Sequence, residues 1–125
     1  MCNTRAKILV VDDEQAIALT LSQILETQSY ATATAYSGEE AVELACSFQP
    51  DCIVSDVMMG AMNGVEAATI IWGMLPSCKV LFVSGHANYS ELLADARAKG
   101  FNFVALQKPV PPRELLASIS KILSH

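Results

Sequence analysis

Lys7-Ile8-Leu9-Val10-Val11 is a strand-like run that ends in two acids, Asp12-Asp13. The pattern returns at Cys52-Ile53-Val54-Ser55, which ends in Asp56, and far downstream a Lys108-Pro109 pair follows a third such run. In an open parallel α/β sheet, residues just past the carboxyl ends of the strands converge on one crevice, however far apart they lie in sequence. Acids at two strand ends and a distant lysine therefore point to one shared pocket. Three crowded carboxylates repel one another unless a cation joins them. A hard divalent ion such as Mg²⁺ takes oxygen ligands and typically uses one or two carboxylates plus a phosphate, which this set offers.

Outward from these runs, strand-like and helix-like segments alternate along the chain, with no low-complexity tract and no solenoid repeat. That alternation predicts a parallel sheet with helices on both faces. From Glu14 to Thr27, Ile17, Leu21, Ile24 and Leu25 fall at helical spacing. Tyr30 to Tyr36 alternates Ala and Thr, a weakly apolar pattern suited to an edge strand. Ser37-Gly38-Glu39-Glu40 reads as an N-cap with an acid three residues on, opening a helix that Pro50 ends. After Asp56, the uncharged loop Val57 to Asn63 leads into a third helix from about Val65 to Met74, in which Trp72 and Met74 are expected to pack. Lys79 to Val83 reads as the fourth strand, ending at Ser84. Tyr89 to Lys99 reads as a helix closed by Gly100 at C′, and Phe101 to Gln107 as the fifth strand. Beyond Pro111-Pro112 a last helix puts Leu115, Leu116, Ile119, Ile122 and Leu123 on one face.

At 125 residues the chain is the size of one domain, and residues 1–125 are read as a single unit. Apolar residues make up 52% and charged residues only 17%, which favours strands buried on both faces. The net charge of −5, with eight scattered Lys and Arg, argues against a surface for nucleic-acid phosphates. Cys2, Cys46, Cys52 and Cys78 form no CxxC pair and show no zinc spacing, and the start lacks a secretory apolar core. Reduced thiols, a soluble chain and a cytoplasmic location are expected. The longest apolar stretches are far too short to cross a bilayer.

Tandem acids after the first strand, a lone Asp after the third, Ser84 after the fourth and Lys108-Pro109 after the fifth occur in one order and at characteristic intervals. In this the sequence resembles the response-regulator receiver domains of two-component signalling, across nearly its whole length. The resemblance implies an α/β, flavodoxin-like, doubly wound (βα)5 parallel sheet of strand order 2-1-3-4-5. It implies that Asp56 accepts a phosphoryl group from a phosphohistidine on a histidine kinase or histidine phosphotransfer protein. Asp13, Asp56 and the backbone carbonyl of Met58 would ligate Mg²⁺, with Asp12 reaching it through water. Lys108 would pair with Asp56 at rest and with the phosphoryl oxygens afterwards, and Ser84 would bind the phosphoryl group and draw its loop inward. The Lys108-Pro109 bond would be cis. Output would pass through the face of helix four, strand five and helix five to a downstream protein or a second copy, with no direct nucleic-acid or membrane partner. Such a domain catalyses only its own phosphorylation and slow dephosphorylation. The sequence leaves open whether it acts alone or as the receiver piece of a longer regulator or hybrid kinase.

The chain departs from the family at several points. Gly60 stands where proline is usual. Ala105 occupies the place of an aromatic switch residue, so no large side chain there would rotate to report phosphorylation. Gly100 to Lys108 is one residue longer than usual, which predicts a bulge in strand five. Met58 and His86 occupy the positions that set how fast water attacks the acyl phosphate, and Met58 orients no water. His86 and His125 have no partner motif. A Mg²⁺-dependent hydrolase on a similar sheet would want a second Asp where Met58 stands. A scaffold without the chemistry has no use for Asp12, Asp13, Asp56 and Lys108. A flavin-binding reading fails on the acidic loop after strand one.

Overall fold

Each strand-like run and each helical pattern becomes an element of its own. The computed structural model describes residues 5–57, 59–60, 62–85, 90–100 and 103–124. In chain order these are β1 (Lys7–Val11), α1 (Gln15–Glu26), β2 (Ala31–Ala35), α2 (Gly38–Phe48), β3 (Cys52–Asp56), α3 (Gly64–Met74), β4 (Lys79–Ser84), α4 (Ser90–Ala98), β5 (Val104–Gln107) and α5 (Pro112–Leu123). The strands form one parallel sheet in the order β2-β1-β3-β4-β5, the flavodoxin-like arrangement expected.

Side chains alternate across a strand, so each central strand feeds two cores. On one face Leu9, Val11, Ile53, Val80 and Phe82 meet Ala41 and Ala45 of α2 and Ala68 and Ile71 of α3. On the other, Ile8, Val10, Val54, Leu81 and Val83 meet Ala18 and Leu25 of α1 and Leu115 and Ile119 of α5. This two-sided burial absorbs the large apolar share of the chain. The Ala/Thr run β2 lies at the sheet edge, as its composition suggests, and Thr32 Oγ1 lies 2.6 Å from the Ser22 Oγ of α1.

Local chemistry sets the helix ends. Ser37 Oγ accepts the Glu40 N–H at 3.1 Å, but the Glu40 carboxylate accepts from Tyr36 N–H at 2.6 Å, one residue before the cap. A reciprocal capping box forms instead at α3, between Asn63 and Glu66. Gly100 has φ of +91°, the left-handed geometry of a C′ residue.

Strand five differs from expectation. It begins at Val104, and its register from Leu81↔Val104 to Ser84↔Gln107 is unbroken, so the predicted bulge is absent from Val104–Gln107. Phe103 lies outside the strand: its ring sits edge-on to Phe82 at 5.1 Å and under the Arg97 guanidinium at 4.2 Å. Phe101 falls outside the described residues. Trp72 packs as expected, its indole N–H donating to the Cys78 carbonyl at 3.0 Å. Met74 does not, being 40% exposed with its sulfur 3.5 Å from Cys46 Sγ.

Cys46, Cys52 and Cys78 are free thiols, and Cys2 lies outside the described residues. Burial pushes the Cys52 thiol far above its ordinary range. Burial, aided by the Asp51 charge, pushes Cys78 up to about 12. Both therefore stay protonated at neutral pH and behave as small apolar groups. Among the described residues, no helix is long and apolar enough to cross a membrane.

Candidate functional site

The sheet register brings the acids together. Val11 pairs with Ser55, so the next residues, Asp12 and Asp56, leave adjacent strand ends side by side. Asp12 N–H continues the β1–β2 ladder by donating to the Ala35 carbonyl at 3.1 Å, which fixes where the Asp12 side chain begins. One carboxylate oxygen, Oδ1, accepts the Glu14 N–H at 2.9 Å at the start of α1. The other, Oδ2, lies 3.1 Å from Lys108 Nζ. Asp12 thus secures the entry to the first helix and belongs to the site as well. It is 1% exposed.

Lys108 Nζ also donates to Asp56 Oδ2 at 3.2 Å, bridging two carboxylates from two strands. Its backbone is anchored to the neighbouring strand, since Lys108 N–H donates to the Ser84 carbonyl at 2.8 Å. The Lys108-Pro109 peptide is cis, as the resemblance implied. Ser84 is buried at the end of β4, opposite Gln107 of β5, so the hydroxyl-bearing and ammonium-bearing segments are tied by main chain. Asp13 lies at the exposed rim.

Carboxylate oxygens of Asp12, Asp13 and Asp56 lie within 4.8 Å of one another. An all-oxygen donor set of this size suits a hard cation such as Mg²⁺ and is unsuited to softer metals. Met58, whose carbonyl was expected to join it, and His86 lie outside the described residues.

The electrostatics are those of a pocket that strains against its own charge. Burial is the largest influence on Asp56 and raises its pKa. Lys108 lowers it through charge and hydrogen bond, Asp12 raises it, Val57 N–H lowers it, and the net direction is up. Burial pushes Lys108 down, but its hydrogen bond to Asp12 and the charges of Asp56 and Asp12 outweigh that and hold it above its ordinary value. The ammonium therefore stays charged while the carboxylate beside it is destabilised.

Two residues at the site escaped the sequence reading. Gly64 opens α3 against the end of β3: a Cβ there would collide with the Asp56 carbonyl oxygen. Its N–H donates to the Val57 carbonyl at 2.7 Å. Ser55, 2% exposed, donates its hydroxyl to the Asp56 carbonyl at 2.8 Å. The visible signal for Gly64 was a glycine directly after an Asn with a capping Glu. Ser55 gave none beyond being a hydroxyl in an apolar run.

Ala105 is exposed on β5, with no aromatic group at that position.

Comparison with known proteins places this geometry in context. The family model described as response regulator receiver domain matches residues 8–120. The response regulator MprA of Mycobacterium tuberculosis is 32% identical over 117 residues, covering 94% of this chain and 50% of that protein. The transcriptional regulatory protein YvrH of Bacillus subtilis is 35% identical over 115 residues, covering 91% of this chain and 47% of that one. The chain spans about half the length of these curated relatives. A crystal structure of a CheY-like receiver domain protein from Methanospirillum hungatei superposes with a TM-score of 0.89 at 28% identity, covering 97% of this chain and 95% of that one.

Proposed function

The chain belongs to the response regulator receiver domain family, and from that premise we propose that it is a phosphorylation-controlled switch whose acceptor is Asp56. A carboxylate oxygen of Asp56 attacks the phosphorus of a phosphohistidine on a histidine kinase or phosphotransfer protein. An O–P bond forms, the P–N bond breaks, and the imidazole leaves with its electron pair and takes a proton from solvent. Asp12, Asp13 and Asp56, with the Met58 carbonyl, are the residues to hold Mg²⁺, which when bound offsets the charge of the phosphoryl oxygens. Lys108 exchanges its bond to Asp56 Oδ2 for one to a phosphoryl oxygen while keeping Asp12. Ser84 supplies a hydroxyl to the same group, and its main-chain tie to Lys108 couples the two loops.

The observation that supports this reading best is Lys108 Nζ held between Asp12 and Asp56, at 3.1 and 3.2 Å, beside a third carboxylate. An ammonium in that place favours the anionic transition state of phosphoryl transfer. Beside it opens an apolar groove of about 590 Å³, lined by Ile17, Leu21, Ile24, Val83, Pro109 and Val110. A helical phosphodonor fits such a groove with its histidine turned toward Asp56. We assign the whole of residues 1–125 to the receiver unit and place it in the cytoplasm. Its only catalysis is its own phosphorylation and slow dephosphorylation. The face of α4, β5 and α5 is read by a partner protein or a second copy, and the acidic balance of the chain disfavours direct contact with nucleic acid.

The test is incubation of the parent and Asp56→Asn with acetyl phosphate, with and without Mg²⁺, followed by intact-mass measurement. One added phosphoryl group on the parent alone, dependent on Mg²⁺, is expected. No gain under any condition would leave a phosphorylation-independent scaffold as the better reading.

A further inference from the structure

Ser55 precedes the acceptor and points to the face of the sheet occupied by Ile53, Phe82 and α3, where its strand neighbours Val11, Ile53 and Phe82 are apolar. A hydroxyl buried there is costly unless bonded. It donates at 2.8 Å to the carbonyl of Asp56, and on the same side Gly64 closes in so tightly that a Cβ would lie 2.9 Å from Ser55 Oγ. The bonded carbonyl belongs to the Asp56–Val57 peptide. At the other end of that unit, the Val57 N–H lies close enough to the Asp56 carboxylate to lower its pKa. A peptide group is planar, so fixing the direction of its C=O fixes the direction of its N–H. The following carbonyl, that of Val57, is held in turn by Gly64 N–H at 2.7 Å.

We propose that Ser55 is a positioning residue for the nucleophile: through the rigid Asp56–Val57 peptide, its hydroxyl sets the backbone N–H that orients the Asp56 carboxylate toward the incoming phosphorus. The proposal rests on Asp56 being the phospho-acceptor, and Ser55 itself touches no reacting atom. Lys108 and Asp12 define the charge of the pocket, and Ser55 defines which way the carboxylate faces within it.

Three variants test this, namely Ser55→Ala, Ser55→Val and Ser55→Thr. The first readout, independent of phosphorylation, is amide hydrogen exchange at Val57 relative to Ile53 and Val54. Ser55→Ala and Ser55→Val are expected to speed Val57 exchange about tenfold, the factor set by one modest hydrogen bond, with Ile53 and Val54 unchanged. The second is the Mg²⁺-dependent reaction with acetyl phosphate. Here the maximal rate is expected to fall about three- to tenfold in Ala and Val at an unchanged half-saturating concentration, and to return in Thr. Unchanged exchange at Val57 in Ser55→Ala, or equal acceleration at all three amides, would overturn the proposal. If Thr does not fold, the exchange pattern of Ala decides alone. A parent that accepts no phosphoryl group would count against Asp56 as acceptor, whereas faster exchange confined to Val57 would still support the role of Ser55 in orienting the carboxylate.

Discussion

Asp56 carries its charge in a place that resists it. Burial and the Asp12 carboxylate push its pKa up, the Lys108 ammonium and Val57 N–H pull it down, and the balance is upward. A carboxylate whose folded pKa lies above its unfolded value favours the fold when protonated, and that contribution is lost as pH rises through the folded pKa. Replacing it by a neutral isostere should therefore stabilise the metal-free protein at neutral pH. Asp56→Asn is expected to raise the melting temperature by a few degrees, about 1 kcal/mol of stability for a chain of this size. The gap should close as pH falls through the acidic range, because the parent then protonates too. Lys108, held above its ordinary value, stays charged throughout and adds nothing to that slope. Added Mg²⁺ should stabilise the parent more than the variant, since one carboxylate of its set is gone. Circular dichroism melts in chelator and in Mg²⁺ would measure both effects. A variant melting at or below the parent at neutral pH would mean that the loss of the Lys108 contact outweighs the relief of burial.

Within α3, two glycines should respond to the same substitution with opposite signs. A Cβ at Gly64 strikes the Asp56 carbonyl, a backbone atom that no side-chain rotation moves aside. Gly64→Ala is expected to cost about 1–3 kcal/mol as the helix start is pushed from β3. At Gly73 a Cβ meets nothing within 4 Å, so Gly73→Ala is expected to stabilise by up to about 1 kcal/mol through helix propensity alone. Urea unfolding of the two variants would measure the contrast, and equal shifts would refute it. These elements also show what the sequence could and could not tell. The end of the helix was readable because Pro76 is a local stop signal. The demand for glycine at 64 was not, because it arises where the helix start meets a strand end. Phe103 was read as part of strand five, yet it lies outside the strand and serves the contact between Phe82 and Arg97. Met74 was expected to pack near the end of the helix, while its position there leaves it exposed.

Across the molecule, the candidate site gathers at one end of the sheet and the single tryptophan at the other. Trp72 lies near the end of α3, bonded to the carbonyl of Cys78 just before β4, whereas Asp56 and Ser84 lie at the strands' carboxyl ends. Its fluorescence is expected to change on unfolding and to stay within a few per cent on Mg²⁺ addition or phosphorylation, roughly the insensitivity due to a probe outside the moving loops. Strong quenching by Mg²⁺ would show coupling along the whole of α3. Topology and the meeting of Asp12, Asp56 and Lys108 beside Ser84 were legible because a parallel sheet collects its strand ends by rule, so each needed only its place after a strand. Ser55 was illegible because its role depends on the tilt of one peptide, which no residue pattern encodes. The Lys108–Asp12 contact spans 96 positions of the chain. A polypeptide still emerging from the ribosome possesses both acids long before it possesses the lysine, and so the cluster that Lys108 bridges is incomplete until the last strand is laid down. On the function proposed above, receipt of a phosphoryl group is then also a certificate of completed folding, because the residues that receive it meet only in the finished sheet.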